Sequence, residues 1–261
     1  MTSYPHEATF TALGMQCQII TTRPQDLRAA VDEALEELSR LAAVISFDDR
    51  RSEVSRLSRL ASFAEVTAPA SALLLDYLGA ALWAADLTEG LVSPSDGVWR
   101  GIELGDGTVK LPRGTILDLS ETAPSHAADL LARRLHADSG GGFLVRIGDA
   151  VAVAGDSPEG GWEIPVTAPG GRTLQVVSTR FAAVSKAEDD LRADQPHPIW
   201  TQVTVAAPTA LEAHAWAAAS QTKGELAPAW LTNHGVTARL ERRTGTTRYT
   251  AGWPQAHLSA A

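Results

Sequence analysis

Ile116-Leu117-Asp118-Leu119-Ser120-Glu121-Thr122-Ala123-Pro124-Ser125-His126-Ala127-Ala128-Asp129 is the stretch that decides how this chain is read. The first four residues form a short apolar run closing on an acid, which predicts a strand. Ser120 to Thr122 predict a tight turn. A helix is expected to start near Pro124, whose fixed φ suits a first helical turn. Strand, turn and helix in this order place polar groups at a strand end, where an α/β layer arrangement puts its ligand clefts.

Working outward, the same alternation of periods recurs along the chain. Phe10 to Thr21 reads as a strand interrupted by Gly14. Leu27, Ala30, Val31, Ala34, Leu35, Leu38 and Leu41 fall at helical spacing behind Pro24. Ile45 to Asp49 reads as a polar loop, and Ser52 as the N-cap of a short helix. Ala70 to Asp86 is a strongly apolar helix, and Asp106-Gly107 a hairpin turn between two short apolar pieces. Beyond the central helix (Pro124 to His136) and a turn at Ser139–Gly142, strands are expected at 143–147, 150–153, 162–166, 174–177 and 181–184. Lys186 to Pro198 reads as a charged, Pro-containing loop. A strand at 201–206, an Ala-rich helix at 209–221, a short helix at 226–231 and closing strands near Ala238 and Tyr249 complete the order. Helices and strands interleave, but the tight turns favour α+β over a doubly wound sheet.

Composition bounds the function. The 261 residues carry 31 acidic and 22 basic side chains, for a net charge of -9. Nucleic acid is excluded as the main partner, because phosphate backbones need clustered Lys and Arg. An anionic cofactor stays open, since backbone N–H groups bind phosphate locally. The single Cys17 excludes an intrachain disulfide and a multi-cysteine zinc site. No basic and apolar leader opens the chain, and no run of eighteen apolar residues occurs. A cytoplasmic protein without a membrane span is the expectation.

The order and spacing resemble the ApbE family, the FAD:protein FMN transferases, from about Thr11 to Trp253. Ala12-Leu13-Gly14-Met15 is similar to the family's opening strand. Ser46-Phe47 followed by Ser52-Glu53-Val54-Ser55-Arg56-Leu57 is the best-matching motif, with Ser58 where Asn is usual. Thr88-Glu89-Gly90-Leu91-Val92-Ser93-Pro94 is similar to a family loop that carries an acid at Ser93. Around Asp118 the frame is intact, but the family's Gly is Ser120, its Lys is Pro124 and its next Gly is Ser125. Arg146-Ile147-Gly148-Asp149 matches an Asn-Gly-Gly-Asp turn in part. Ala183-Val184-Ser185 precedes a stretch in which His197 stands at the family's histidine. Ala213-His214-Ala215-Trp216-Ala217-Ala218 lies on a helix that in the family carries Asp and Thr one turn apart.

The resemblance implies an α+β, T-fold-related mixed sheet packed with helices. The expectation is one domain over 1–261, with subregions 1–115 and 116–261 flanking a ligand cleft. It implies FAD as ligand, with Glu89, Asp118, Ala123, Ser185 and Trp216 as candidate cofactor contacts and His197 as the acid/base candidate at a family position; His214 is a second acid/base candidate if the cleft serves another reaction. Lys186 is a candidate near phosphate, and His126 a candidate neighbour of His214. In the family, oxygen ligands on the late helix hold Mg²⁺ against the FAD pyrophosphate. His214 and Ala218 keep the spacing without the oxygens, so magnesium binding is expected to be weak or absent. Three readings follow. They are an FMN transferase with an acceptor protein as partner, a flavin- or nucleotide-binding pseudoenzyme, and the same cleft repurposed for another small molecule.

Overall fold

Leu13 and Gly14 both take positive φ, 53° and 73°, the two-residue turn whose twist suits a hairpin. The single strand expected over 10–21 is therefore two antiparallel strands, β1 (Glu7–Ala12) and β2 (Met15–Thr21), with Ala12 opposite Met15. The structure is a computed structural model that describes residues 6–167, 173–179, 199–250 and 252–254, together with the backbone of 183–188.

The helices begin where local chemistry allows. α1 (Leu27–Ile45) follows a 3-10 turn at Pro24–Asp26 and buries Ala30, Ala34, Leu38 and Leu41 at helical spacing. α2 (Glu53–Ala61) is capped as expected: Ser52 Oγ accepts from the Ser55 N–H at 3.0 Å. β3 (Val66–Pro69) precedes α3 (Ala72–Leu87), and β4 (Glu103–Leu104) and β5 (Thr108–Leu111) turn at Asp106-Gly107. β3 pairs with β5 to complete a small three-stranded sheet. Its short, charge-flanked sequence gave little periodicity to read.

α4 (Ala123–Ser139) ends on Gly140, whose φ of 71° closes the helix. β6 (Phe143–Ile147), β7 (Ala150–Ala154), β8 (Trp162–Thr167), β9 (Thr173–Thr179), β10 (Ala183–Glu188) and β11 (Trp200–Ala207) follow. The expected loop over 186–198 begins later than its charges suggested, because Lys186, Ala187 and Glu188 pair with Thr204, Val203 and Gln202. α5 (Ala210–Lys223), α6 (Ala227–Asn233), β12 (Thr237–Arg242) and β13 (Thr247–Tyr249) end the order.

Eight strands form one antiparallel sheet in the order β1-β2-β6-β7-β10-β11-β12-β13. One face buries Cys17, Ile19, Val145, Ile147, Ala150 and Ala152 against α1 and α4, as part of the main core. α5 and α6 cover the β11–β12 end, around Val203, Val205 and Leu240. The opposite face carries Ile20, Leu144 and Val151 under Trp162 and Ile164 of the β8–β9 hairpin. Each Ile, Leu and Val among them contributes about 1.5–3 kcal/mol on leaving water. The architecture is the mixed α+β arrangement that the sequence predicts. Among the described residues, no helix is long and apolar enough to cross a membrane.

Candidate functional site

The stretch at Asp118 is extended but is not a strand. Leu117 and Leu119 are buried while Ile116 and Asp118 are exposed, the alternation that suggested one. Its amides leave the sheet alphabet: Leu117 N–H donates to Ser58 Oγ at 3.0 Å, and Asp118 N–H to the Pro94 carbonyl at 2.9 Å. A helix and a loop flank the segment where a neighbouring strand would have to be. Asp118 Oδ1 then accepts from Ser120 N–H at 2.8 Å, closing the turn into α4.

A cavity of about 380 Å³ opens beside this turn, lined by Phe47, Ser93, Pro94, Ser95, Asp96, Gly114, Ile116, Asp118 and Glu121. Three carboxylates and no cation line it among the described residues. Glu121 is exposed as a residue, but desolvation of its carboxyl against the turn, and second the charge of Asp118, hold that group above the usual carboxylate range. Phe47 and Ile116 are both more than half exposed at this cavity, 59% and 58%. Glu121, Asp96 and Phe47 were not assigned as site residues from sequence. The signal for Glu121 was its place three residues after Asp118, within the turn.

The loop from Thr88 to Ser95 connects this cavity to α5. Thr88 Oγ1 donates to the Ala84 carbonyl at 2.8 Å and accepts from Val92 N–H at 3.1 Å, making a tight coil. Gly90 has φ 88°, and a Cβ there would lie 2.6 Å from Trp99 Nε1, so only glycine fits. Glu89, also at positive φ (58°), is exposed on this loop and outside the cavity lining. Leu91 and Val92 pack with Ala84, Leu211, Ala215 and Ala218. The Ala218 methyl thus belongs to an apolar cluster.

Ala123 is buried as the first residue of α4, and Pro124 beside it has no N–H to offer a phosphate. Asp129, one helical turn further, caps another helix. Its two carboxylate oxygens accept from Ala210 N–H at 2.8 Å and Leu211 N–H at 3.0 Å, at the start of α5. His126 is held between elements, with Nε2 at 3.0 Å from Asp76 Oδ2 and its ring edge-on to Tyr77 at 4.9 Å.

On α5, His214 and Ala218 share a face at the four-residue spacing, and Trp216 lies about 200° round the helix. The Trp216 ring, expected at the ligand, is instead 4% exposed among Trp230 (4.8 Å) and His234 (5.1 Å). Ser185 sits on β10 opposite Val205, next to Lys186. His197 lies outside the described residues.

His214 Nε2 is out of solvent, and burial pushes the ring's pKa down to about 4. The unfolded chain therefore binds more protons than the folded one between about pH 4 and the ordinary 6.5. The contribution is fully present above 6.5 and is lost as pH falls through that window. The shift corresponds to about 3 kcal/mol. Urea unfolding of wild type and His214→Leu at pH 7 and pH 4 should show the variant losing roughly 2–3 kcal/mol less on acidification. Equal losses would mean that the ring is hydrated in the folded state.

Comparison with known proteins places this geometry in context. The family model described as the ApbE family matches residues 96–240. A search of curated protein sequences finds no match. The fold is similar to an apo flavinyl transferase ApbE of Pseudomonas stutzeri, with a TM-score of 0.81 at 19% identity over 94% of each chain. It is equally similar to an ApbE protein of Thermotoga maritima, with a TM-score of 0.81 at 19% identity over 94% of this chain and 97% of that one. A flavin transferase ApbE of Vibrio cholerae superposes with a TM-score of 0.75 at 17% identity, over 94% and 97% of the two chains.

Proposed function

This chain belongs to the ApbE family, and from that premise we propose that it binds a flavin in the cleft beside Asp118 and is impaired in moving FMN from FAD to an acceptor protein. The observation that carries this reading is the lining of the cavity, where Asp96, Asp118 and Glu121 meet with no Lys or Arg among the described residues. Such a lining suits hydrogen-bond donors, namely the N–H of a flavin ring and ribityl hydroxyls. Phe47 and Ile116 offer apolar surface to the ring. A pyrophosphate there would meet like charge.

The residues of α5 do not fit the family's magnesium. His214 offers an imidazole rather than a carboxylate and Ala218 a methyl, whereas Mg²⁺ takes oxygen ligands. Ser185 and Lys186 on β10 are our candidates for the phosphate contact, and His197 is our candidate general base toward an acceptor Thr or Ser hydroxyl. Loss of both Lys and metal leaves the transferring phosphoryl without the charge stabilisation on which such chemistry depends.

Two measurements test this. Riboflavin and FAD should bind within about threefold of each other, a difference of less than 1 kcal/mol. An acceptor peptide incubated with the protein, FAD and Mg²⁺ should gain no FMN mass. Magnesium-dependent FAD binding together with a mass adduct would overturn the proposal. A second reading, the cleft repurposed for another small-molecule reaction, is favoured by the raised Glu121 beside Asp118, a pair of carboxyls suited to acid/base division of labour. Failure to bind either flavin would move the weight to it.

A further inference from the structure

The sheet face turned away from α1 and α4 holds a second cavity, of about 530 Å³, where β1, β2 and β6 meet the β8–β9 hairpin. Strand register builds its floor. Thr9, Gln18 and Arg146 stand abreast on three neighbouring strands, and Ile20 and Leu144 stand abreast two residues along. Pro165 and Val176, cross-strand partners on the hairpin, form an apolar wall. Glu7 and Glu163 also line the space, and Gln18 Nε2 donates to Glu7 Oε2 at 3.1 Å.

Arg146 is the feature that folding alone leaves unexplained. It is only partly exposed, and within the described residues its guanidinium makes no hydrogen bond or salt bridge, although the charge of Asp149 acts on it. Burial lowers its pKa, and Asp149, the carboxylate that acts on it, offsets this only in second place. A guanidinium taken out of water without a partner is costly. Evolutionarily cheap replacements such as Gln or Thr, which its neighbours on the same row already are, would complete the sheet without that cost.

We infer that this cavity is a ligand site separate from the cleft at Asp118, and that it takes a small monocarboxylate with an apolar body. The planar guanidinium matches a carboxylate with two parallel N–H donors. Ile20, Leu144, Pro165 and Val176 supply surface for an apolar body, and the volume lies in the range of small-molecule sites. Charge narrows the class further. Among the described residues one arginine and two glutamates line the cavity, so a dianionic phosphate or a nucleotide meets more repulsion than a single carboxylate directed at Arg146. A donor group at the far end of the ligand finds the Glu7 carboxylate.

Calorimetric titration with 3-phenylpropanoate tests the assignment, with 3-phenylpropanamide as the uncharged control and phenyl phosphate as the dianion. The carboxylate should bind, and both controls should be at least about tenfold weaker. Arg146→Gln should weaken the carboxylate by a similar factor, leave riboflavin binding unchanged, and still fold, since no side-chain hydrogen bond within the described residues is lost. Val176→Glu alters a wall position that is half exposed (51%), so it leaves the fold intact and should abolish binding by charge. It decides alone if Arg146→Gln does not fold. The assignment is overturned by no carboxylate binding up to about 10 mM, by an amide that binds as well, or by Val176→Glu binding like wild type. Riboflavin binding, read in parallel, reports on the Asp118 cleft independently of all these outcomes.

Discussion

His214→Asp combined with Ala218→Thr should raise magnesium affinity at least about tenfold over wild type, a gain of close to 1.4 kcal/mol. The two positions lie one turn apart on one face of α5, so the substitutions place a carboxylate and a hydroxyl where one cation could meet both. The single His214→Asp change has a sharper signature. It puts a carboxylate where the ring's Nε2 is out of solvent. Without metal this should cost about 1–3 kcal/mol of stability. Magnesium should restore it by mass action, because the ion binds the folded state. Thermal melts with and without Mg²⁺, alongside calorimetric titration, read both effects. A double variant whose melting point and titration ignore magnesium would show that α5 does not present these residues to a common site.

Asp129→Ala should lower the unfolding free energy by about 2–3 kcal/mol, because it strands two buried N–H groups at the start of α5. For a chain of this size the melting temperature should fall by roughly 4–12 °C. Asp129→Asn keeps one acceptor oxygen and should lose less. Their pH dependence carries a definite sign. Burial raises the Asp129 pKa, ahead of the opposing backbone hydrogen bonds and the weaker pull of Arg133 and His126. A raised carboxyl pKa means that the folded state holds its proton longer. The advantage of Asp over Asn is thus greatest below the ordinary Asp range and shrinks as pH rises through the folded value. Denaturant unfolding of the three proteins at acid and neutral pH checks this. A loss under about 0.5 kcal/mol for Asp129→Ala would mean that water reaches the α5 amides.

Much of the fold was legible because it is written locally. Ser52 announced the α2 cap, Pro24 and Pro124 stood at helix starts, and 143–147 fell on β6 residue for residue. Where reading failed, a local pattern had a non-local cause. Gly14 looked like a flaw in one strand, but with Leu13 it turns two. Leu117 and Leu119 alternate as a strand would, yet their amide partners are a helix serine and a loop carbonyl. The site was less legible still. Asp118 was found from its frame, while Glu121 and Asp96 join it only because the loop after α3 folds back over the central turn.

By itself, then, the sequence determined the order of the helices and of most strands, and the chemistry of the side chains at His214 and Ala218, an imidazole and a methyl. These follow from periods of two and 3.6, from the backbone restrictions of Gly and Pro, and from side-chain chemistry, none of which needs a distant partner. Only the tertiary structure decided that Asp129 caps a helix 81 residues away, that Trp216 turns into the α6 core, and that Arg146 faces a cavity. Those outcomes depend on strand register and helix rotation, which packing fixes across the whole chain.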